Sequence, residues 1–241
     1  MAPGRWHTDA VTLGVVFLLV ALGFAALGLA VAMPWAVLAA WCALAAALVG
    51  ATLLTRNARP FGKRPDGRRR PLATLLLLPY LLPLWTAWRL QRWRDHEAPW
   101  HELRPWLLIG RRLRDHESAA VLAAVDHVVD LTCEHTEPPR LRGHRGYRCL
   151  PTVDGSTPKP AEFRTCIDAL QALTGRVYLH CAQGHGRTAT FAAALLLVRG
   201  EARDPAHALQ LVQARRPLAR PYARQIAALE RFWRDRRTLP G

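Results

Sequence analysis

A cysteine and an arginine separated by five residues mark the part of the sequence that can do chemistry. They lie in the stretch HCAQGHGRT, His180 to Thr188, between an apolar run that predicts a strand and a run that predicts a helix. The amino end of a helix presents unpaired N–H groups and a partial positive charge, and glycines let loop amides point inward. Such a loop binds phosphate, and the Arg187 guanidinium adds a fork for two phosphate oxygens. The same groups stabilise a thiolate, so Cys181 becomes a nucleophile beneath a bound phosphoryl group.

This stretch matches the His-Cys-x5-Arg-Ser/Thr signature of cysteine-dependent protein tyrosine phosphatases. From about Pro105 to Trp233 the chain resembles the dual-specificity branch of that family. The resemblance implies hydrolysis of phosphomonoesters through a phosphocysteine, with no metal or other cofactor. Cys181, Arg187 and Thr188 would be catalytic, and the Thr188 hydroxyl would donate a hydrogen bond to the sulfur. The residues expected to bind the phosphate are Ala182, Gln183, Gly184, His185, Gly186 and Arg187.

The family also requires an acid on a loop upstream of the signature. The stretch LPTVDGSTP, from Leu150 to Pro158, offers Asp154 in the expected place. By resemblance Asp154 is the general acid that protonates the leaving oxygen, and later the base that activates water. An aspartate before a glycine also commonly begins a turn, which is the alternative role for this residue. Glu162 and Asp168, on the following predicted helix, are weaker candidates for the acid.

Three further residues near the signature have other expected roles. We expect His180 to orient the loop through hydrogen bonds rather than to carry protons. The His185 side chain either touches substrate or is solvated. Cys133 lies on a predicted strand beside that of Cys181, and we favour a small core residue over a protective disulfide between the two. The five cysteines are odd in number and lack CxxC spacing, which argues against a disulfide framework and against a structural zinc site.

Alternating strands and helices must position these residues. The alternation predicts an α/β domain over residues 100–241, with a mostly parallel sheet flanked by helices in the manner of the dual-specificity phosphatases. Strands are predicted over 105–110, 127–134 and 176–181, with an extended piece that begins at 149. Helices are predicted over 116–126, 161–175, 187–200, 204–216 and 222–237.

Two uncharged segments ahead of this domain predict a transmembrane hairpin within residues 1–56. The segments 11–33 and 35–55 are each long enough to cross a hydrocarbon core of ~30 Å at ~1.5 Å per residue. The first is too long for a cleaved signal peptide, and a second apolar segment follows it at once. By the positive-inside rule, the basic block from Arg56 to Arg70 lies in the cytoplasm.

A third apolar segment, Leu72 to Trp88, lies within a basic linker of residues 57–99. It is short, it contains two prolines, and arginines flank it on both sides. A third span would leave one basic flank outside and would move the catalytic domain across the membrane. We therefore favour an interfacial or re-entrant helix with three tryptophans at headgroup depth. Those tryptophans are Trp85, Trp88 and Trp93.

The composition sets the class of partner. The chain is 51% hydrophobic and carries a formal net charge of +15, a combination typical of membrane segments with basic flanks. No zinc-finger spacing, RNA-binding aromatic motif or recognition-helix pattern supports a nucleic-acid partner. We therefore predict a multi-pass membrane protein, of a bacterial inner membrane, with a cytoplasmic catalytic domain. The sequence makes no prediction of the oligomeric state.

Three functions are compatible with these residues. The first is a membrane-anchored phosphatase of phosphoproteins, phosphotyrosine above all. The second is a phospholipid or phosphoinositide phosphatase of the same fold, in which a basic loop receives an anionic headgroup or is simply solvated. The third is an inactive phosphate-binding module, which ranks last because the nucleophile, the arginine and an acid are all present. The residues of the basic loop are Arg140, Arg142, His144, Arg145 and Arg148.

Overall fold

The computed structural model describes residues 10–94 and 96–238, and its carboxyl-terminal part is built on a five-stranded sheet. The strand order is β1-β2-β5-β3-β4, with β1 antiparallel to β2 and the other neighbours parallel. The mostly parallel sheet predicted from the sequence is therefore confirmed, and β1 is an added edge strand that was not predicted. The strands are β1 (Trp100–Arg104), β2 (Leu107–Arg111), β3 (His127–Thr132), β4 (Tyr147–Thr152) and β5 (Val177–Cys181).

Helices cover both faces of the sheet, and the alternation of side chains along the strands shows why. Leu107 and Ile109 of β2 pack into the larger core cluster, whereas Leu108 packs into a second cluster with Tyr178. Successive strand residues face opposite sides, so a strand that is apolar throughout must be covered twice. The helices of this domain are α5 (Asp115–Leu122), α6 (Pro139–Arg142), α7 (Pro160–Gln171), α8 (Arg187–Val198), α9 (Pro205–Arg215) and α10 (Ala223–Thr238).

The helix that follows the signature is central to the larger cluster. Eleven of the twelve residues of α8 are buried, and Phe191 meets Phe163 of α7 edge to face with ring centroids 5.0 Å apart. Phe163 makes a similar contact with Phe232 of α10 at 5.4 Å. A helix that is apolar all round belongs in a core, and this burial holds the amino end of α8 in place at the end of β5.

The two amino-terminal apolar segments form an antiparallel helical hairpin, α1 (Ala10–Ala30) and α2 (Trp35–Thr55). Each helix is 21 residues long, and their mean hydropathies are 2.6 and 2.2, so both are long and apolar enough to cross a membrane. The helices approach closely at Gly14 and Gly50, where a Cβ on Gly50 would lie 2.9 Å from the Gly14 carbonyl oxygen. Small residues at such crossings are typical of helices packed in lipid.

The segment predicted over residues 72–88 is two consecutive helices, α3 (Pro71–Leu76) and α4 (Leu78–Arg94). The three tryptophans expected at headgroup depth differ in their contacts. Trp93 is 79% exposed, but the indole N–H groups of Trp85 and Trp88 donate to carbonyl oxygens of Glu134 and Ala182. An indole packed against the catalytic domain gains a partner for its N–H that the bilayer interior lacks.

The open end of the hairpin rests directly on the catalytic domain. Arg224 of α10 donates from Nη1 to the Leu53 carbonyl oxygen at 2.9 Å, near the carboxyl end of α2. Leu53 also shares an apolar cluster with Leu81 of α4 and with Val153 beside β4. The hairpin, α4 and the sheet domain are therefore packed against one another.

Candidate active site

The signature loop joins β5 to α8 and surrounds the sulfur of Cys181. The cysteine is 3% exposed, and the Gly184 amide donates to its Sγ at 3.2 Å. Gly184 has a φ of +76°, and a Cβ there would lie 2.5 Å from the carbonyl oxygen of Gly110. Only glycine tolerates this combination, which allows the loop to bring the Gly184 N–H to the sulfur.

Thr188 contacts a different group from the one expected. Its Oγ1 lies 3.4 Å from the carbonyl oxygen of Gly110, to which it donates. The expected hydrogen bond to the sulfur is absent among the described contacts, because β2 lies next to β5 and its carbonyl meets the first turn of α8. Thr188 therefore ties α8 to the sheet, and the Gly184 amide makes the hydrogen bond to sulfur.

Arg187 is held by a carboxylate that the sequence analysis missed. Its Nη1 and Nη2 donate to Oε2 and Oε1 of Glu134 at 2.9 and 2.6 Å, and Nη1 also donates to the Thr152 carbonyl at 2.8 Å. Burial by itself would raise the pKa of Glu134, but the charge and hydrogen bonds of Arg187 hold that pKa well below its usual range. The same pair raises the pKa of the buried guanidinium against the effect of its burial. Both groups are therefore charged, and the fork is fixed in one orientation.

Asp154 reaches the same site from the loop after β4. Its Oδ1 lies 3.2 Å from Nη2 of Arg187, and its side chain is 65% exposed. Arg187 Nε is buried and has no hydrogen-bond partner within the described residues, so its N–H is a donor that these contacts do not use. The structure thus brings Asp154, Cys181 and Arg187 to one cavity of about 420 Å³.

The two weaker acid candidates lie elsewhere. Glu162 lines a separate cavity together with Arg56 and Lys63. Asp168 is paired with Arg236 of α10, with 2.7 Å between Oδ1 and Nη1. Neither residue lines the cavity above Cys181.

His180 does not orient the loop through hydrogen bonds, which corrects the expectation. It is fully buried, its ring stacks on Tyr178 with 5.2 Å between centroids, and neither ring nitrogen has a hydrogen-bond partner among the residues described. Its Nε2 lies 4.0 Å from Oε2 of the buried Glu137. His180 therefore supports the strand by packing.

His185 is paired with a carboxylate, whereas the sequence suggested either contact with substrate or a solvated side chain. Its Nε2 lies 2.7 Å from Oε2 of Glu97, which also accepts from Nη2 of Arg216 at 2.6 Å. Arg216 is fully buried and donates to the carbonyl oxygens of Gln183 and Gly184 at 2.9 and 3.0 Å. This network holds the loop from outside, and no sequence motif marked Glu97 or Arg216 as part of the site.

Helix α4 supplies one wall of the cavity. Trp88 Nε1 donates to the Ala182 carbonyl at 3.3 Å, and Gln183 Nε2 donates to Oε1 of Gln91 at 2.8 Å. Leu84 and Trp88 line the cavity together with Asp154, Cys181, Arg187 and Tyr222. The segment that was assigned to the membrane surface is thus also part of the site.

Cys133 lies in a separate apolar cluster with Leu53 and Val153 and is 1% exposed. It and Cys181 are both free thiols in this structure. Burial is the main reason that the pKa of the Cys133 thiol is raised well above its usual value. A buried thiol in this state is inert, in keeping with the role of small core residue.

A group of three potential metal ligands lies next to the signature strand. Asp130, Glu137 and His180 offer ligand atoms within 4.8 Å of one another. The Nζ of Lys63 is 2.7 Å from Oδ2 of Asp130 and supplies positive charge at that position. An ammonium bound there takes the place that a cation would need.

Comparison with known proteins agrees with this architecture. Residues 105–235 match the family model PTP-SAK, the Swiss Army Knife protein DSP-PTPase phosphatase domain. Human DUSP28 is similar in structure, with a TM-score of 0.52 and 22% identity over 59% of this chain and 97% of its own. A mutant form of Tk-PTP has a TM-score of 0.51 and 22% identity over 58% of this chain and 97% of its own. No curated protein sequence matches the chain. At these identities the two structures show the fold, and the family match, which spans more than half of the chain, shows that the chain belongs to the PTP-SAK family of DSP-PTPase phosphatase domains.

Proposed function

We propose that the chain is a membrane-anchored phosphatase that hydrolyses phosphomonoesters through a phosphocysteine intermediate. The observation that carries the proposal is the convergence of three groups on one cavity. The Cys181 sulfur accepts a hydrogen bond from the Gly184 amide, and Arg187 lines the same cavity. Asp154, on the loop after β4, also lines the cavity, with its Oδ1 3.2 Å from Nη2 of Arg187. A nucleophile, an anion clamp and an acid are the parts that this reaction needs.

In the first step the Cys181 thiolate attacks phosphorus, so an S–P bond forms as the bond to the ester oxygen breaks. The loop amides and Arg187 hold the three remaining oxygens, on which charge is concentrated. Asp154 gives its proton to the departing oxygen, which leaves as an alcohol. A phosphate that binds Arg187 also releases Asp154 from its 3.2 Å contact with Nη2, which frees the carboxyl group for this role.

In the second step water attacks the phosphocysteine. The Asp154 carboxylate takes a proton from the water, an O–P bond forms, and the S–P bond breaks to return the thiolate. Inorganic phosphate then leaves the cavity.

The contacts of the linker support the domain organisation that we propose. We assign residues 1–56 to a transmembrane hairpin, 57–99 to a linker that contains α3 and α4, and 100–241 to the catalytic domain. Arg69, before α3, donates from Nη1 to the Glu134 carbonyl oxygen. Arg92, near the end of α4, forms an ion pair with Glu117, with 3.1 Å between Nη2 and Oε1. Contact of both flanks with one domain supports a re-entrant or interfacial segment over a third span. With two spans, the basic block supports a catalytic domain in the cytoplasm.

The proposal is tested by phosphate release from soluble esters by the full-length protein in detergent. We expect Cys181→Ser to abolish turnover, because a hydroxyl is not ionised in this loop. We expect Asp154→Asn to lower kcat by about 10²–10⁴ with an alkyl phosphate, whose leaving oxygen needs a proton, and by less with p-nitrophenyl phosphate. Glu162→Gln is the matched control and should keep full activity. A Cys181→Ser protein with native turnover would disprove the mechanism.

A further inference from the structure

A second cavity, of about 350 Å³, lies between the hairpin and α4. Every side chain that lines it is apolar or aromatic, and Leu84 of α4 lines both this groove and the catalytic cavity. We propose that the groove binds an acyl chain of a phospholipid whose headgroup ends in a phosphomonoester, so that this lipid is the substrate. The residues used in the argument are Phe17, Val20, Phe24, Cys42, Tyr80 and Leu84.

The position of the groove along α1 matches the hydrocarbon region of a membrane. Ala10, at the first turn of α1, lies in the same apolar cluster as Val153 of the catalytic domain. At ~1.5 Å per residue, Phe17 is ~10 Å and Phe24 ~20 Å farther along the helix. One leaflet contributes about half of a ~30 Å hydrocarbon core. The groove therefore begins within the leaflet next to the catalytic domain and ends near the middle of the bilayer, the depth of the inner halves of that leaflet's acyl chains.

Basic side chains mark the level at which the hairpin leaves the hydrocarbon. Arg56 follows the last residue of α2, and the Arg224 guanidinium donates to carbonyls of Leu53 and Leu54. Burial and the nearby charges of Arg224 and Arg231 lower the pKa of Arg56. Clustered arginines at this level suit the anionic headgroups of a membrane surface. The groove and the catalytic cavity adjoin at Leu84, which lines both.

The rim of the catalytic cavity also favours a lipid over a phosphorylated polypeptide. Leu84 and Ala87 of α4 and Leu218 give the lining apolar side chains, beside the polar side chains of Gln91 and Arg220. A peptide would bring backbone polar groups against these apolar side chains, which offer them no hydrogen-bond partners. An acyl chain has no hydrogen-bonding groups to leave unsatisfied there, and it only exchanges contacts with lipid for contacts with protein. The phosphate then lies over Cys181 while the chain remains in the groove.

This inference rests on the proposed function, and the experiment separates the two. Full-length protein in phosphatidylcholine vesicles is given phosphatidic acid, phosphatidylglycerophosphate or a phosphatidylinositol monophosphate. Parallel samples receive p-nitrophenyl phosphate or a phosphotyrosine peptide, and Cys181→Ser is the blank. We expect kcat/KM for at least one lipid to exceed that for the peptide by tenfold or more.

A tryptophan in the groove gives the specific test. Val20 lines the groove and is 41% exposed, so Val20→Trp adds bulk there with little disturbance of the helix pair. Val15, on the same helix and 46% exposed, is absent from the groove lining and gives the matched control Val15→Trp. We expect Val20→Trp to lower the ratio of lipid to p-nitrophenyl phosphate turnover by at least tenfold, and Val15→Trp to leave the ratio within twofold of native.

An unchanged ratio in Val20→Trp would overturn the inference, and so would a native protein that hydrolyses the soluble esters but no lipid. In both cases the proposed function stands. Activity on no ester above the blank would instead refute the proposed function itself.

Photocrosslinking with a lipid tests the acyl site without any groove substitution, in case Val20→Trp fails to fold. Cys181→Ser protein is irradiated with phosphatidic acid that carries a diazirine near the middle of one acyl chain. We expect adducts to concentrate on residues of the groove such as Phe17, Phe24 and Tyr80. Adducts spread evenly over the exposed face of the hairpin, as at Leu19 and Leu22, would contradict the acyl site.

Discussion

At the residue scale, the site depends on charged groups that have been removed from water. Arg187 and Glu134 are 1% and 7% exposed at their side chains and bind each other through two hydrogen bonds. A buried pair of this kind is costly unless its geometry is good. Here the pair fixes the orientation of the Arg187 guanidinium before substrate binds, so the guanidinium needs no reorganisation during the reaction. Glu134 therefore acts through Arg187 as a positioning residue.

The histidine beside this pair gives a pH dependence of stability. Burial, the largest cause, lowers the pKa of His135 to about 3, helped by the charges of Arg112, Arg187 and Lys63 and opposed by Glu134. In the unfolded protein His135 takes up a proton near pH 6.5, whereas in the folded protein it stays neutral at that pH. The free energy of unfolding therefore falls as the pH falls below about 6.5. We expect a loss of about 1 kcal/mol per pH unit between pH 6 and 5.

Thermal midpoints of the detergent-solubilised protein between pH 7 and 5 measure this effect. The control is His135→Gln, which removes the titrating ring and should give a shallower decline over the same interval. Parallel curves for the two proteins would show that His135 titrates normally when folded.

At the element scale, α4 connects the apolar helical hairpin with the signature loop. Its middle turns place Leu84 between the two cavities and Trp88 against the Ala182 carbonyl. The Trp88 ring also meets His135 at 5.2 Å and lies beneath the guanidinium of Arg112 at 5.1 Å. These contacts make α4 a structural wall of the site.

Replacing the indole by a phenyl ring tests this role. Trp88→Phe keeps an aromatic ring but removes the N–H that donates to the loop, at a net cost of about 0.5–1.5 kcal/mol. We therefore expect kcat/KM for p-nitrophenyl phosphate to fall by about two- to tenfold. Trp93→Phe, five residues along the same helix and 79% exposed, is the control and should behave as native. Equal effects of the two substitutions would refute the contact.

At the scale of the whole molecule, the linker completes the core of the catalytic domain. The Lys63 side chain is 0% exposed, and its Nζ binds Oδ2 of Asp130 at 2.7 Å and Oγ1 of Thr132 at 3.0 Å. Burial alone would raise the pKa of Asp130, but the Lys63 charge lowers it to about 2. A charge from outside the sheet domain thus neutralises a carboxylate at its centre. The catalytic domain depends on the linker for this reason.

We expect Lys63→Met to destabilise the protein by about 3–5 kcal/mol, because it leaves a buried carboxylate without its cation. The neighbouring Arg64→Met is the matched control, since the Arg64 side chain is 56% exposed and its loss should cost less than about 0.5 kcal/mol. Chemical denaturation of the detergent-solubilised proteins compares the two. A similar loss in both would mean that the linker charge contributes nothing specific.

The sequence by itself determined the features that depend on neighbours along the chain. The signature from His180 to Thr188 is contiguous, so its strand, loop and helix could be predicted together with the nucleophile and the clamp. Apolar periodicity predicted three of the sheet's strands and the helices around it except the four-residue α6, because side chains on one face share one environment. The edge strand Trp100–Arg104 was missed, since its five residues carry three polar side chains and no clear alternation.

Only the tertiary structure decided which distant groups meet. Glu134 is 53 residues from Arg187, and Glu97 is 119 residues from Arg216, so no local pattern relates them. The Thr188 hydroxyl donates to a carbonyl of β2, 78 residues away, and its expected bond to sulfur is not among the described contacts. Hydrogen bonds and ion pairs form between atoms a few ångströms apart, whatever the separation along the chain. The spacing of residues therefore indicates the chemistry, and the packing of the elements selects the partners that carry it out.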